Sequence, residues 1–401
     1  MNTPHLRTFL YDTSHQELDI LCKQIFSAWD DGIGVSVIDT NAPQYIVDSA
    51  IISLDPDEVV NISNQCSSYS RNLAIFEEDI SVVSLTSGST NKPKPVVHTF
   101  DSMRESVNAI ANVLDLNKDD SWLLCLSPKY IAGMATLARA HILEQKVDCL
   151  NIFNVQSIAE MITNLKPSLI SLVPTQLQIL VDCEIDLSCF KAILVGGASV
   201  DSKLIEQCSN LEYNIHRTYG MTETFGGICH DGKLFPNTNA RIIDGEIQLR
   251  STSIFSSYRH NYSLSQSKFT NDAWYKTGDI GLIDGDNTLT VSGRIDDIII
   301  SGGIKINPNE IENTLSKYID QLFIVGGIPH RKWGHALSVV FEKEIPYELT
   351  IEKIRELLSN DFDRKYLPIY IAAIEEFPKT STGKYIRKEI LEKCKIIEEY
   401  T

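Results

Sequence analysis

Short apolar runs that stop abruptly at proline, glycine or hydroxylated residues, with helical spacing between them, do most to limit how this chain can fold. Residues 80–85 stop at Thr86-Ser87-Gly88, 122–126 at Ser127-Pro128, 168–173 at Pro174, and 192–195 at Gly196-Gly197. Between them, 100–113 places Met103, Val107, Ile110 and Ala111 on one helical face, and similar spacing runs through Arg139 and over 177–181. Strands alternating with helices give α/β layers with mainly parallel pairing. In such sheets ligands sit at the carboxyl ends of the strands, where these stops fall.

The first stop is chemically the most pointed. Residues 84–95 read SLTSGSTNKPKP. Gly88 lets the chain turn where a side chain would clash. Thr86, Ser87, Ser89 and Thr90 offer hydroxyls, and successive N–H groups in a turn make an anion-binding concavity. Lys92 and Lys94, each beside a proline, add positive charge. The nucleotide-loop spacing GxxxxGK[ST] is absent. A Ser/Thr-rich surface loop is the other reading of the same residues.

Further along, YGMTET (219–224) follows an expected strand over 214–218. Thr222 can bond a phosphoryl oxygen, and Glu223 is a hard oxygen ligand suited to Mg²⁺; a solvated turn is the alternative. In WYKTGD (274–279), Asp279 can accept from both hydroxyls of a ribose, although Gly-Asp is also an ordinary turn. The stretch SPKYIAGM (127–134) reads as a pocket wall or as a plain strand–turn–helix. His98 has a structural role by default, and Asp284-Gly285-Asp286 is a turn. Residues 1–79 predict a helix over 18–29 and short strands at 35–38 and 46–47.

The C-terminal part looks like its own α+β unit. Asn307, Pro308 and Glu310 form a helix start, with Ile311, Leu315 and Tyr318 on the apolar face. Strands over 321–326 and 336–341 and a helix over Ile351–Leu358 follow. Near the end, PKTSTGK (378–384) carries Lys384 on a small-residue turn, from which it can reach another domain's site; a lone tail lysine is otherwise solvated.

The formal charge of −17 argues against a nucleic-acid or membrane-surface partner, which would call for a basic face. Nine scattered cysteines, with no CxxC pair and no His/Cys metal spacing, read as reduced, buried thiols rather than as a disulfide framework or a zinc site. No signal peptide or membrane-length apolar stretch is evident, so a cytoplasmic protein is expected. A homo-oligomer is allowed.

Taken in order, SLTSGSTNKPKP, YGMTET, YKTGD, GRIDDIIISGGIKINPNEIE and PKTSTGK resemble the motifs of the adenylate-forming superfamily of acyl- and aryl-CoA synthetases, luciferases and peptide-synthetase adenylation domains. The resemblance spans Ser84 to Lys384. It implies a large N-terminal AMP-binding domain (1–293) and a small mobile α+β domain (294–401) carrying the catalytic lysine. It also implies a two-step reaction: a carboxylate attacks the α-phosphorus of Mg·ATP, and a thiol, usually coenzyme A, then displaces AMP. By motif position, Thr86, Ser87, Gly88, Ser89, Thr90 and Lys92 would hold the β- and γ-phosphates. Thr222 would contact the α-phosphate and Glu223 the Mg²⁺. Asp279 and Arg294 would bind the ribose, and Gly197, Ala198 and Tyr219 would flank adenine. Lys384 would bridge the carboxylate and α-phosphate, and Asp296 would be the hinge.

The chain departs from the family pattern at Asn91 and Pro95, where glycine is usual, at 127–133, which lacks a common histidine, and at Lys305, where some relatives have arginine. The stretch before residue 84 is short for the family. That shortness, together with SPKYIAGMATLARA (127–140) as acyl-pocket stretch, resembles the compact acid–CoA ligases of the superfamily, and this resemblance implies an acid with an aromatic ring and a second carboxylate. Tyr130, Ala132, Gly133, Met134 and Met221 would form the pocket walls, with Lys129, Arg139 or Arg217 as the cation. Rival readings are another acyl- or aryl-CoA ligase, an adenylation enzyme loading a carrier protein, and a catalytically silent binding protein.

Overall fold

A computed structural model describes residues 6–13, 17–63, 79–86, 93–379 and 385–400. The chain divides into two compact units. The first comprises Met1–Ala240, Leu249–Lys276 and Gly285–Leu289; the second comprises Arg241–Gln248, Thr277–Asp284 and Thr290–Thr401. The long second-unit segment therefore starts at Thr290, beside the expected boundary at 293/294, and two earlier segments cluster with it.

Among the described residues, two sheets lie wholly within the first unit. One runs Ser257–Tyr258, Lys94–Thr99, Ile80–Thr86, Gly34–Asp39, Leu6–Tyr11, Glu58–Asn61. It is parallel from Ile80–Thr86 to Glu58–Asn61 and antiparallel beyond. The other runs Lys233–Leu234, Gly226–His230, Ile215–Met221, Ala192–Val195, Leu169–Leu172, Ser121–Leu124, Lys146–Cys149. Its last five strands are parallel. The buried strand Leu169–Leu172 leads into helix Pro174–Asp182, with Pro174 in the first turn, where no N–H is required. Helix Phe100–Leu114 starts at Thr99 and Ser102, whose side chains cap each other's backbone N–H groups. Leu18–Asp30, Phe100–Leu114 and Ile131–Ile142 bury Leu21, Ile25, Met103, Val107, Leu137 and Ala138 in one cluster with Phe9, Val35 and Val82.

Two local expectations are corrected, and one strand lies where none was assigned. Ile46 and Val47 lie in helix Gln44–Leu54, not a strand: Val47, Ala50 and Leu54 make a buried stripe, and that periodicity outweighs the two β-branched residues. Residues 94–99, to which no element was assigned from the sequence, form a strand paired antiparallel with Ile80–Thr86, Leu85 opposite Pro95. The strand expected to end at residue 218 runs to Met221, so Tyr219 and Gly220 are strand residues.

In the second unit, Phe323–His330 and Gly334–Glu342 form an antiparallel hairpin. Gly334–Glu342 then pairs in parallel with Tyr370–Ile374. Helices Pro308–Leu315 and Ile351–Leu358 press Ile311, Leu315, Ile351, Ile354 and Leu358 against Val325, Val339 and Phe341. Asn307 caps the first helix as expected, accepting from the Asn309 N–H. The guanidinium of Arg387 grips both oxygens of Glu312 (2.6 and 3.0 Å), tying helix Arg387–Lys393 to Pro308–Leu315.

Candidate active site

In the first unit the chemistry gathers where Ile215–Met221 gives way to the tight turn Thr222–Thr224. The sheet is irregular just before it, its register slipping between Tyr219 and Gly220. A side chain on Gly220 would place its Cβ 1.7 Å from the Gly226 carbonyl oxygen, so only glycine fits. The Thr224 hydroxyl is buried, accepts from the Met221 N–H (2.9 Å) and donates to the Gly226 carbonyl (2.7 Å). The chain leaves through Phe225, buried in the left-handed region (φ 55°).

This turn holds Thr222 and Glu223 from behind. The fully buried imidazole of His98 donates from Nε2 to the Thr222 carbonyl at 2.7 Å and stands edge-on to Phe225. Burial lowers its pKa to about 4, against the opposing pull of the Thr222 carbonyl, so the ring is neutral at physiological pH. Tyr258 donates to one carboxylate oxygen of Glu223 (2.7 Å), and the Phe255 N–H bonds the Glu223 carbonyl. The Tyr258 bond orients the carboxylate and leaves its second oxygen for a hard cation. Sequence reasoning missed Thr224 and Tyr258 and assigned His98 no part in the site. Thr224 sits in the quoted motif itself, whereas Tyr258 carried no local signal.

The other first-unit candidates fall in three places. Thr86 ends strand Ile80–Thr86 and its hydroxyl faces the Lys94 carbonyl. Ser87, Gly88, Ser89, Thr90 and Lys92 lie outside the described residues, as does Asn91. Gly197, at φ 86°, and Ala198 are exposed just past strand Ala192–Val195, and Tyr219 lies opposite Cys229. Around helix Ile131–Ile142, Lys129 lies over the Tyr130 ring, Tyr130 precedes the first helical residue, and Ala132 is exposed. Gly133 is buried against the Leu126 and Ser127 carbonyls. Met134 is 2% exposed and packed in the core cluster, and Met221 accepts a contact from the Tyr275 hydroxyl (3.6 Å).

The three cations expected to meet a second carboxylate are in different circumstances. Arg217 gives its backbone N–H and its Nε to Asp231 Oδ1. Lys129 is half-buried over a tyrosine ring. Arg139 is 7% exposed and stacks on Trp122 with its charge centre 5.5 Å from the ring. Its guanidinium has no hydrogen-bond or ion-pair partner among the described residues, and Nη2 approaches the position a Gly226 Cβ would take to 4.0 Å. Burial lowers its pKa to about 10, which still leaves it charged.

In the second unit, Asp279 and Arg294 meet. Arg294 Nη1 donates to Asp279 Oδ1 at 2.7 Å and to the Thr277 carbonyl at 3.4 Å. Asp279 lies inside strand Tyr275–Ile283, just after Gly278, whose φ of 73° bends that strand. Asp296 is exposed in the turn Ile295–Asp297, 3.9 Å from Arg294 Nη2. Lys384 lies outside the described residues.

The model of the AMP-binding enzyme family matches residues 27–258. The 2-succinylbenzoate–CoA ligase of Listeria monocytogenes serotype 4b is 32% identical over 332 residues, covering 78% of this chain and 69% of the relative. The o-succinylbenzoate CoA synthetase of Bacillus subtilis, solved with the acyl-adenylate intermediate OSB-AMP, superposes with a TM-score of 0.82 at 21% identity over 96% of this chain and 87% of that one. The same enzyme with ATP and magnesium ion also gives 0.82, at 21% identity, over 96% and 89%. The expected layered α/β fold is thus borne out, and the chain belongs to the AMP-binding enzyme family.

Proposed function

We propose that this protein is an ATP-dependent, AMP-forming acid–CoA ligase acting on o-succinylbenzoate, a step of menaquinone biosynthesis. The observation that carries the reading is the turn Thr222–Thr224, clamped by His98 and Tyr258, in a chain 32% identical to a 2-succinylbenzoate–CoA ligase over most of its length. A carboxylate oxygen of the acid attacks the α-phosphorus of Mg·ATP, and pyrophosphate leaves with the electron pair of the broken P–O bond. The coenzyme A thiol then attacks the acyl carbon, expelling AMP.

In this reading Thr222 contacts the α-phosphate and the carboxylate of Glu223 meets the Mg²⁺ that accompanies ATP. Asp279 and Arg294 take the ribose hydroxyls, and Gly197, Ala198 and Tyr219 flank adenine. Thr86, Ser87, Gly88, Ser89, Thr90 and Lys92 cradle the outer phosphates. Lys384 neutralises charge that grows in the transition state. Asp296 is the pivot of a C-terminal domain that exchanges Lys384 for the thiol path between half-reactions. The described cysteines are all free thiols, which supports a reducing, cytoplasmic setting. Among the described residues no helix is long and apolar enough to cross a membrane.

The test is pyrophosphate release with ATP and a panel of carboxylic acids. Release that depends on o-succinylbenzoate is expected; no acid-dependent release would reject the reading, and preference for another acid would reject the substrate. Lys384→Ala should slow adenylate formation sharply while ATP binding survives.

A further inference from the structure

His216, His230 and Asp231 have no part in the proposed reaction, yet three of their ligand-capable atoms converge. His230 lies opposite Thr218 on the neighbouring antiparallel strand. His216 is two residues from Thr218, so the two imidazoles share one face of the sheet as a diagonal pair. Their rings stand 4.5 Å apart, with His230 Nε2 in direct contact with His216 Nδ1. Asp231, at φ 46°, opens a tight turn with Gly232 that folds its carboxylate back onto the same spot. Oδ2 lies 3.0 Å from His230 Nε2 and 3.6 Å from His216 Nδ1. The other oxygen, Oδ1, is fixed by the backbone N–H and Nε of Arg217, 3.1 Å each.

Two imidazole lone pairs and a carboxylate oxygen repel one another unless a cation or a shared proton sits among them. All three atoms lie within 4.8 Å of one another. Two imidazole nitrogens and one carboxylate oxygen are a donor set suited to borderline first-row divalent ions. The Arg217 bonds supply the outer support that orients a ligating carboxylate. The side chains are 15–35% exposed, which leaves room for a water as fourth ligand.

We propose that His216, His230 and Asp231 form a binding site for a first-row divalent cation, with zinc as its representative. The ion would pin the start of strand Ile215–Met221, whose far end carries Thr222 and Glu223, to the turn at Asp231-Gly232.

The full chain, stripped of metal, is titrated with Co²⁺ and then Zn²⁺. One equivalent of Co²⁺ should bind with a visible d–d band free of thiolate charge transfer, Zn²⁺ should displace it, and Zn²⁺ should raise the melting temperature. His216→Ala and His230→Ala should each weaken binding at least about tenfold, and Arg217→Ala by about tenfold. In the unaltered protein, Zn²⁺ should protect both histidines from diethyl pyrocarbonate, read by peptide mass spectrometry, so the test does not depend on the variants folding. Lack of saturable binding, unchanged affinity in the histidine variants, a sulfur-to-cobalt band or unprotected histidines would each overturn the site and leave a proton-sharing network. None of these results bears on acid-dependent pyrophosphate release.

Discussion

The imidazole of His98 and the carbonyl oxygen of Thr222, 124 residues apart in sequence, meet in a 2.7 Å hydrogen bond with the ring fully buried. The other ring nitrogen faces the Ser102 hydroxyl at 3.3 Å. The bond fixes the backbone of the turn that presents Thr222 and Glu223, so His98 is a positioning residue. His98→Ala should cost about 1–3 kcal/mol in denaturant unfolding, since it strands a buried carbonyl. It should also slow adenylate formation, whereas His98→Gln, which can still donate, should recover part of both.

Burial also ties stability to pH. The His98 pKa is about 4 in the folded protein against an ordinary value of 6.5, so the unfolded chain binds the proton more readily. Its contribution is complete above about pH 6.5 and is lost as pH falls toward 4, below which it changes no further. The full swing is roughly 3 kcal/mol. Unfolding free energies measured from pH 7 to 4 should fall more steeply for the wild type than for His98→Gln. Parallel curves would show that burial does not lower the pKa of the ring in the folded state.

Tyr258 steadies Glu223 without itself reaching the nucleotide in the proposed reaction. Tyr258→Phe keeps the ring in its cluster with Phe255 and Tyr275 but removes the hydroxyl. The expected result is a Mg²⁺ requirement raised about tenfold, with saturated turnover less affected. An unchanged Mg²⁺ dependence would mean that Glu223 does not meet the metal.

Gly220→Ala tests the close approach in the turn. Its Cβ would fall 1.7 Å from the Gly226 oxygen, a backbone atom that cannot swing aside. The expected cost is at least about 2 kcal/mol in unfolding, together with loss of adenylation. Gly285→Ala, where nothing lies within 4 Å, is the matched control and should be nearly silent.

The sequence made legible those features whose cause is local. Pro174 marked the end of a strand and Asn307-Pro308 a helix start, and the spacing over Ile351–Leu358 gave that helix to the residue. The strand through Pro95 carried no signal in the sequence; proline is tolerated in a strand wherever its missing N–H is not needed for pairing. Ile46-Val47 misled because two β-branched residues were weighed without the Val47–Ala50–Leu54 stripe around them. The motifs named Thr222, Glu223, Asp279 and Arg294, but not what holds them. His98 and Tyr258 reach Thr222 and Glu223 across long stretches of chain, and only folding brings them together.

Arg139 separates a role in recognition from a role in folding. A nearly buried guanidinium stacked on Trp122, with no hydrogen-bond partner among the described residues, costs stability unless an anion meets it. Arg139→Met keeps the bulk and removes the charge. If the residue were structural, the change would destabilise the protein and affect all acids alike. If it receives the second carboxylate of the acid, stability should be unchanged or slightly higher, while kcat/KM for o-succinylbenzoate falls. A hydrogen bond to a charged group contributes about 1.5–3 kcal/mol, so that fall should be about 10- to 100-fold. A monocarboxylic aryl acid, which has nothing to offer the guanidinium, should lose little. The measurement is kcat/KM for both acids in wild type and variant, with melting temperature alongside. An equal loss for both acids would remove Arg139 from recognition and return the question to Lys129.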